Sequence, residues 1–265
     1  MDLGLEGKVA VVTGGSRGIG KASAMELARE GCDVVVCARG EGPLREAAEE
    51  IAKATSRRVI AVPADTSKAE DITRVIETAK AKLGGVDILV NNAAQVGGGG
   101  RNDTLLNGDE TLFTDDFNTK MLGYVRAARL AAALMVDKGW GRIVLISGMA
   151  TRMPAGVSGG MRNAAVTNMG AVLAHELGPH GITVNTVQPG GVLTEVLPER
   201  LERQARDRGG DAGELRAQME KSNAIHHLVT AEEIAKVVAF LASPAALAIT
   251  GESISVAGGS RQVSY

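Results

Sequence analysis

The sequence predicts an α/β fold: a Rossmann-like, doubly wound sheet of seven parallel strands with helices on both faces, in a single domain. Three observations lead there. Short apolar runs alternate with longer amphipathic stretches along all 265 residues, the rhythm of strand–helix–strand units rather than of hairpins. The runs are apolar at nearly every position, as strands covered on both faces are. Glycine supplies 34 residues and aromatics only 2%, so backbone segments must approach closely and Val, Ile, Leu, Met and Ala must build the core.

The elements follow in order. Val9–Thr13 is a short apolar run and reads as the first strand. Residues 18–30 are helical, with Ile19, Ala22, Leu27 and Ala28 on one side. A second strand at 34–37 leads to a helix at 43–54. Strands at 59–62, Ile88–Asn91, 143–147, 183–187 and Ser253–Val256 continue the series. Helices near 68–83, 114–138, 158–178 and 231–242 lie between them. Residues 195–224 break the rhythm with a charged helical stretch that contains Gly209, Gly210 and Gly213. Such an insertion reads either as a substrate lid or as a solvated helical excursion.

Composition excludes several classes. With 29 basic and 31 acidic residues, the net charge of −2 calls for no nucleic acid and no anionic membrane. No apolar run approaches the roughly 18 residues of a membrane-spanning helix. The N-terminus lacks a basic start followed by a cleavable apolar stretch, so a cytoplasmic protein is expected. Cys32 and Cys37 are an odd number of residues apart along one strand and would point to opposite faces. They read as small buried hydrophobes rather than as a disulfide or a metal site.

The chemistry begins at Thr13-Gly14-Gly15-Ser16-Arg17-Gly18-Ile19-Gly20. This turn runs from a strand into a helix, the context that a diphosphate-binding glycine motif needs. Its glycines allow close backbone approach, and the helix N-terminus offers free N–H groups and a positive dipole end. At the tip of strand two stand Val36-Cys37-Ala38-Arg39. An acid there would bind a ribose 2′-hydroxyl, whereas a cation suits a 2′-phosphate. Arg39, with Arg17 as a second guanidinium, therefore points to NADP(H) rather than NAD(H).

Four motifs together give a resemblance to the short-chain dehydrogenase/reductase family over nearly the whole chain. They are the glycine turn; Asn91-Asn92-Ala93-Ala94, similar to the family's NNAG; the segment from His180-Gly181-Ile182-Thr183-Val184-Asn185 through Gln188-Pro189-Gly190 to Thr194; and Ile249-Thr250-Gly251 to Ala257-Gly258-Gly259. The resemblance implies that Asp65, with Thr66, lies near the adenine and that Asn91 and Ala93 lie near the adenosine ribose. It places Pro189, Gly190, Val192 and Thr194 near the nicotinamide.

The catalytic pattern of the family is not matched. Its usual serine, YxxxK pair and helix asparagine fall here at Ser147 (with Gly148 one residue away), Gly159, Asn163 and Lys120. The chain has two tyrosines, Tyr124 and Tyr265, neither in that segment. A phenol titrates near pH 10 and is normally assisted by the lysine cation. Here lysine and asparagine are exchanged between two helices, so Lys120 would deliver an ammonium to the ribose or substrate pocket from the opposite wall. Ser147, Lys120 and Asn163 are the candidate catalytic residues. Arg152, Met153 and Arg162 flank the site as substrate-positioning candidates, and His226 and His227 lie where the chain returns from the insertion; His175 and His180 look structural. The polar loop carrying Asn102, Asp103, Asn107, Asp109 and Glu110 starts where ligands bind in such sheets.

Losing a general acid costs about 10²–10⁴ in rate. Two chemistries remain open: reduction of a carbonyl (or oxidation of the alcohol) with a substitute donor, and reduction of an activated C=C such as an enoyl thioester. In the second, Ser147 would stabilise an enolate oxygen. The alternative is a catalytically impaired homologue that binds nucleotide as a sensor or partner subunit. The resemblance also implies a homodimer or homotetramer, paired through helices that carry Ala127-Ala128, Ala131-Ala132-Ala133 and Met169-Gly170-Ala171, small residues that fit either a subunit contact or packing on the chain's own sheet.

Overall fold

The computed structural model describes residues 2–94, 105–106, 110–154 and 156–260. The sheet holds seven parallel strands: β1 (Val9–Thr13), β2 (Asp33–Ala38), β3 (Val59–Pro63), β4 (Ile88–Asn91), β5 (Gly141–Ile146), β6 (Ile182–Pro189) and, last in the chain, Ser253–Val256. A separate two-stranded pair, β7 (Val192–Leu193) and β8 (Val229–Thr230), makes Ser253–Val256 strand β9. The spatial order β3-β2-β1-β4-β5-β6-β9 reverses direction between β1 and β4. That reversal opens a crevice at the carboxyl ends of the strands, the place where such sheets bind ligands.

Period-two alternation divides each strand between two cores. On β2, Val34 and Val36 face one cluster with helices α1 (Gly18–Arg29), α2 (Glu41–Thr55) and α9 (Ala231–Leu241); Val35 and Cys37 face the other with α3 (Ala69–Leu83), α5 (Gly123–Lys138) and α6 (Val157–Leu177). Cys32 and Cys37 fall in opposite clusters, free and buried, and burial pushes each thiol up to about 12. Fully buried aliphatics such as Leu27, Leu44, Ile51, Ile72 and Leu89 each contribute roughly 1.5–3 kcal/mol to the fold.

Two expected helices are interrupted. The stretch read as one helix at 114–138 is α4 (Glu110–Phe117), a π-helical turn at Asn118–Leu122, and then α5. The excursion read as one helix is α7 (Leu197–Arg208) and α8 (Ala212–Lys221), parted where Gly209 takes a φ of +70°, a conformation glycine adopts freely. These helices are not merely solvated. Leu197, Leu201 and Leu228 form their own cluster with Leu193, Leu215 and Met219. Among the described residues, no helix is long and apolar enough to cross a membrane.

Candidate active site

A cleft of about 640 Å³ runs along the carboxyl ends of β3, β2, β1, β4, β5 and β6, within the range of cofactor and small-molecule sites. The glycine turn forms its floor. Gly14 has a φ of +68°, and a Cβ there would stand 2.8 Å from Asn92 Nδ2. Gly20 does not reach the cleft. It packs under the turn, where a Cβ would lie 2.1 Å from the Gly14 carbonyl oxygen. Thr13 Oγ1 accepts from the amides of Asn92 (2.9 Å) and Ala93 (3.1 Å), which ties the ends of β1 and β4 together.

Ser16, Arg17, Gly18 and Ile19 line the cleft where α1 begins. The Gly18 amide donates to Glu195 Oε1 at 2.7 Å, so an anion already sits at this helix N-terminus. Nothing in the order of residues signals this contact, whose partners are 177 residues apart. At one end stand Arg39, Asp65 and Thr66; Thr66 Oγ1 also donates to the Thr119 carbonyl at 2.9 Å. Arg17 and Arg39 are exposed, and neither has an ion pair among the described residues. The glycine cradle, the helix N-terminus and these two guanidiniums fit a dinucleotide carrying a 2′-phosphate. Ala93, Pro189, Gly190, Val192 and Thr194 line the cleft as well.

One cofactor assignment changes. Asn91 is 0% exposed and stands off the cleft wall; its Nδ2 donates to the Tyr124 carbonyl at 3.1 Å and so fixes α5. Its neighbour Asn92 faces the cleft instead, since strand residues alternate sides.

At the other end Ser147, Lys120 and Asn163 come together. Lys120 is only 3% exposed. Its Nζ donates to Asn163 Oδ1 at 2.8 Å and to the Ser147 carbonyl at 3.1 Å, and lies 5.9 Å from the Tyr124 ring centroid. Burial, reinforced by the Arg162 guanidinium and opposed by Asp116, pulls the ammonium down to about 7. The Ser147 hydroxyl stands 2.9 Å from the Asn163 carbonyl oxygen and 3.2 Å from Thr167 Oγ1. Both partners belong to α6, so whether its single proton goes to the carbonyl or to Thr167, the expected donor to an enolate oxygen is directed into that helix. The Tyr124 hydroxyl donates to the Ile146 carbonyl at 3.0 Å, and burial pushes this phenol above its ordinary range. No tyrosine lines the cleft among the described residues; Tyr265 lies outside them.

The other candidates separate. Arg162 lines the cleft and pairs with buried Asp116, which also accepts from the Ser158 hydroxyl. Asp116 was missed from sequence; its place four residues before Lys120 was the available signal. Arg152 donates to the Ser253 carbonyl at 2.9 Å, and Met153 is exposed. His227 Nε2 lies 2.9 Å from Glu233, which closes the capping box of α9 with Thr230. Neither His226 nor His227 lines the cleft. Of the polar loop, Asn102, Asp103, Asn107 and Asp109 lie outside the described residues, and Glu110 opens α4.

Comparison with known proteins fits this geometry. Residues 8–205 match the short chain dehydrogenase family. The chain is 36% identical to the short-chain reductase protein NovJ of Streptomyces niveus, covering 95% of this chain and 93% of that protein. It is 32% identical to the NADPH-dependent reductase BacG of Bacillus subtilis, covering 96% and 97%. Among solved structures, the L-sorbose reductase of Gluconobacter frateurii, complexed with NADPH and L-sorbose, superposes with a TM-score of 0.91 at 32% identity over 98% of both chains. On its cleft, its strand order and these relatives, the chain belongs to the short-chain dehydrogenase/reductase family.

Proposed function

We propose that the protein is an NADP(H)-dependent oxidoreductase that interconverts a small carbonyl compound and its alcohol, or that reduces an activated C=C. The observation that carries the cofactor half is the pair of exposed guanidiniums, Arg17 and Arg39, at one end of the cleft with no acid at the tip of β2. Relatives support it: the Bacillus subtilis protein is an NADPH-dependent reductase, and an actinorhodin polyketide ketoreductase solved with NADPH superposes with a TM-score of 0.88 at 30% identity. A xylitol dehydrogenase bound to NAD⁺ also shares the fold, so the arginines rather than the fold argue for the phosphate. The carbonyl half draws on relatives named as sorbose, 3-oxoacyl and polyketide reductases.

When bound, the reduced nicotinamide supplies hydride. The chain's own part is to hold the diphosphate on the amides that open α1, to seat the 2′-phosphate between Arg17 and Arg39, and to wall the reacting end with Pro189, Gly190 and Val192. Segment 195–224 serves as a substrate lid in this reading: Val196 and Arg200 already line the cleft. The test is nucleotide titration followed by NADPH oxidation against ketoses, β-keto thioesters and enoyl thioesters. Tighter binding of NADPH than of NADH, with turnover on one class, is the expected result. The lack of a tyrosine on the described cleft wall favours a second reading, a nucleotide sensor. Tight NADPH binding with no turnover on any class assigns that role instead.

A further inference from the structure

A reductase needs a proton for the oxygen that gains charge, and the cleft narrows the choice. Its ionisable side chains, among the described residues, are Arg17, Arg39, Arg162, Arg200, Asp65, Cys37 and Lys120. Arginine does not give up a proton at neutral pH. Cys37 lies near the end of β2 and Asp65 follows β3, at the opposite end of the cleft from β5 and β6. The Ser147 hydroxyl is engaged by α6, through the Asn163 carbonyl and Thr167 Oγ1.

Lys120 remains, and its surroundings are built to hold it. The π-helical turn at Asn118–Leu122 carries it, an irregularity that recurs at functional sites. Two of its three N–H groups are fixed by acceptors from two different elements, Asn163 on α6 and the Ser147 carbonyl after β5. The third meets no hydrogen-bond acceptor among the described residues, on a side chain that lines the cleft.

We propose that Lys120 is the proton donor of the reduction, taking the place of the missing phenol, and that Asn163 is its positioning residue. The assignment rests on the reductase reading. As the carbonyl carbon is reduced, its C=O π pair moves onto oxygen. An Nζ–H bond of Lys120 breaks, its electron pair stays on nitrogen, and an O–H bond forms. The neutral amine keeps donating to Asn163 Oδ1 and the Ser147 carbonyl, then recovers a proton from water.

The charge balance suits this cycle. Arg162 from α6 disfavours the ammonium, Asp116 from α4 favours it, and α5 presents the Tyr124 ring. The result is a group that exchanges protons near pH 7, where acid catalysis is most efficient.

Lys120→Met and Lys120→Arg test the role together, each with NADPH affinity, kcat and a pH profile. Both variants should bind NADPH within about twofold of the parent, which also shows that they fold. Both should lose about 10²–10⁴ in kcat. The parent rate of reduction should fall as pH rises above about 7, and the arginine variant should show no such fall. Independently of turnover, an NMR titration of ¹³Cε-labelled lysines should show one resonance with a midpoint near 7, absent from Lys120→Met.

An arginine variant with parent activity overturns the donor role. So does a methionine variant whose NADPH affinity collapses and is restored by arginine, because Lys120 is then a ribose-binding cation. Parent turnover with an unaffected methionine variant removes Lys120 while leaving the reductase reading intact. A parent that turns over nothing removes both.

Discussion

Arg39 stands at the tip of β2, exposed, with no carboxylate to release before it meets a phosphate. Charge-assisted hydrogen bonds contribute about 1.5–3 kcal/mol each. Arg39→Ala should therefore weaken NADPH binding by about 10- to 150-fold and leave NADH within about twofold, read by nucleotide fluorescence. Equal losses for both nucleotides reject the 2′-phosphate assignment. Gly20 poses a different problem, because a Cβ would stand 2.1 Å from the Gly14 carbonyl oxygen and 2.5 Å from Asn92 Nδ2. The first is backbone and the second is held by the Thr13 and Gly14 carbonyls, so the turn must shift. Gly20→Ala should cost about 1–3 kcal/mol in stability, measured by urea unfolding, and should impair diphosphate binding as well. The catalytic end was only half legible at this scale. The exchange of Lys120 and Asn163 shows in the letters, but the direction of the Ser147 proton depends on a carbonyl of α6 that no motif names.

Helix α1 begins with an extended Arg17 and no side-chain cap of its own. Glu195, just after β7, supplies the anion by accepting from the Gly18 amide. A dinucleotide diphosphate would compete for the same helix end, where a charge is worth about 0.3–1 kcal/mol. Glu195→Gln should tighten NADPH binding by about two- to fivefold at low ionic strength, with the gain shrinking as salt is added. An unchanged or weaker affinity shows that Glu195 does not oppose the cofactor. Sequence alone hid this contact because its partners are 177 residues apart. It also hid the π-helical turn: residues 114–138 keep helical periodicity, and the one-residue widening at Asn118–Leu122 leaves no mark in composition. The capping box of α9 is plainer, since Thr230 and Glu233 carry the expected spacing. Thr230→Ala should cost about 1 kcal/mol, visible as a Tm lower by about 2–4 °C.

Two opposed titrations shape stability across the whole molecule. At the start of β2, burial alone would raise Asp33, but side-chain and backbone hydrogen bonds from Arg58, with Arg57 nearby, hold its carboxyl below the usual range. A carboxyl depressed by folding stabilises the native state above its unfolded pKa of about 4, and that contribution is lost as pH falls through the folded value. Urea midpoints should therefore drop below about pH 4, and Asp33→Asn should flatten that drop. Lys120 acts in the opposite range. Between about 7 and 10.5 the unfolded chain carries a proton there that the folded chain has released. Stability should rise with pH through that window, and Lys120→Met should abolish the rise. Association is proposed at the same scale. Of the small residues expected either at a subunit contact or on the chain's own sheet, Ala127, Ala128, Ala131, Ala132, Met169 and Gly170 are buried within the chain, Ala171 is half-buried and Ala133 is exposed. Leu122, Met161 and Val172 are among the large apolar side chains exposed around α5 and α6. Light scattering should show a dimer or tetramer, and Val172→Asp should shift it toward monomer.

The sequence by itself determined the sheet, its cofactor turn and the family, because each is written in short-range terms: apolar runs of strand length, helical periodicity, and glycines at fixed offsets. It also carries Lys120 and Asn163 at the two positions that the family resemblance marks as candidates for catalysis. Only the tertiary structure decided that Lys120 is buried with two acceptors, that Asn92 rather than Asn91 faces the cleft, and that Glu195 reaches the start of α1. Each of those depends on residues far apart in the chain meeting at one point, and on how much water their meeting excludes. Burial sets the charge state of an amine or a carboxyl, and burial belongs to the folded assembly rather than to any stretch of the chain.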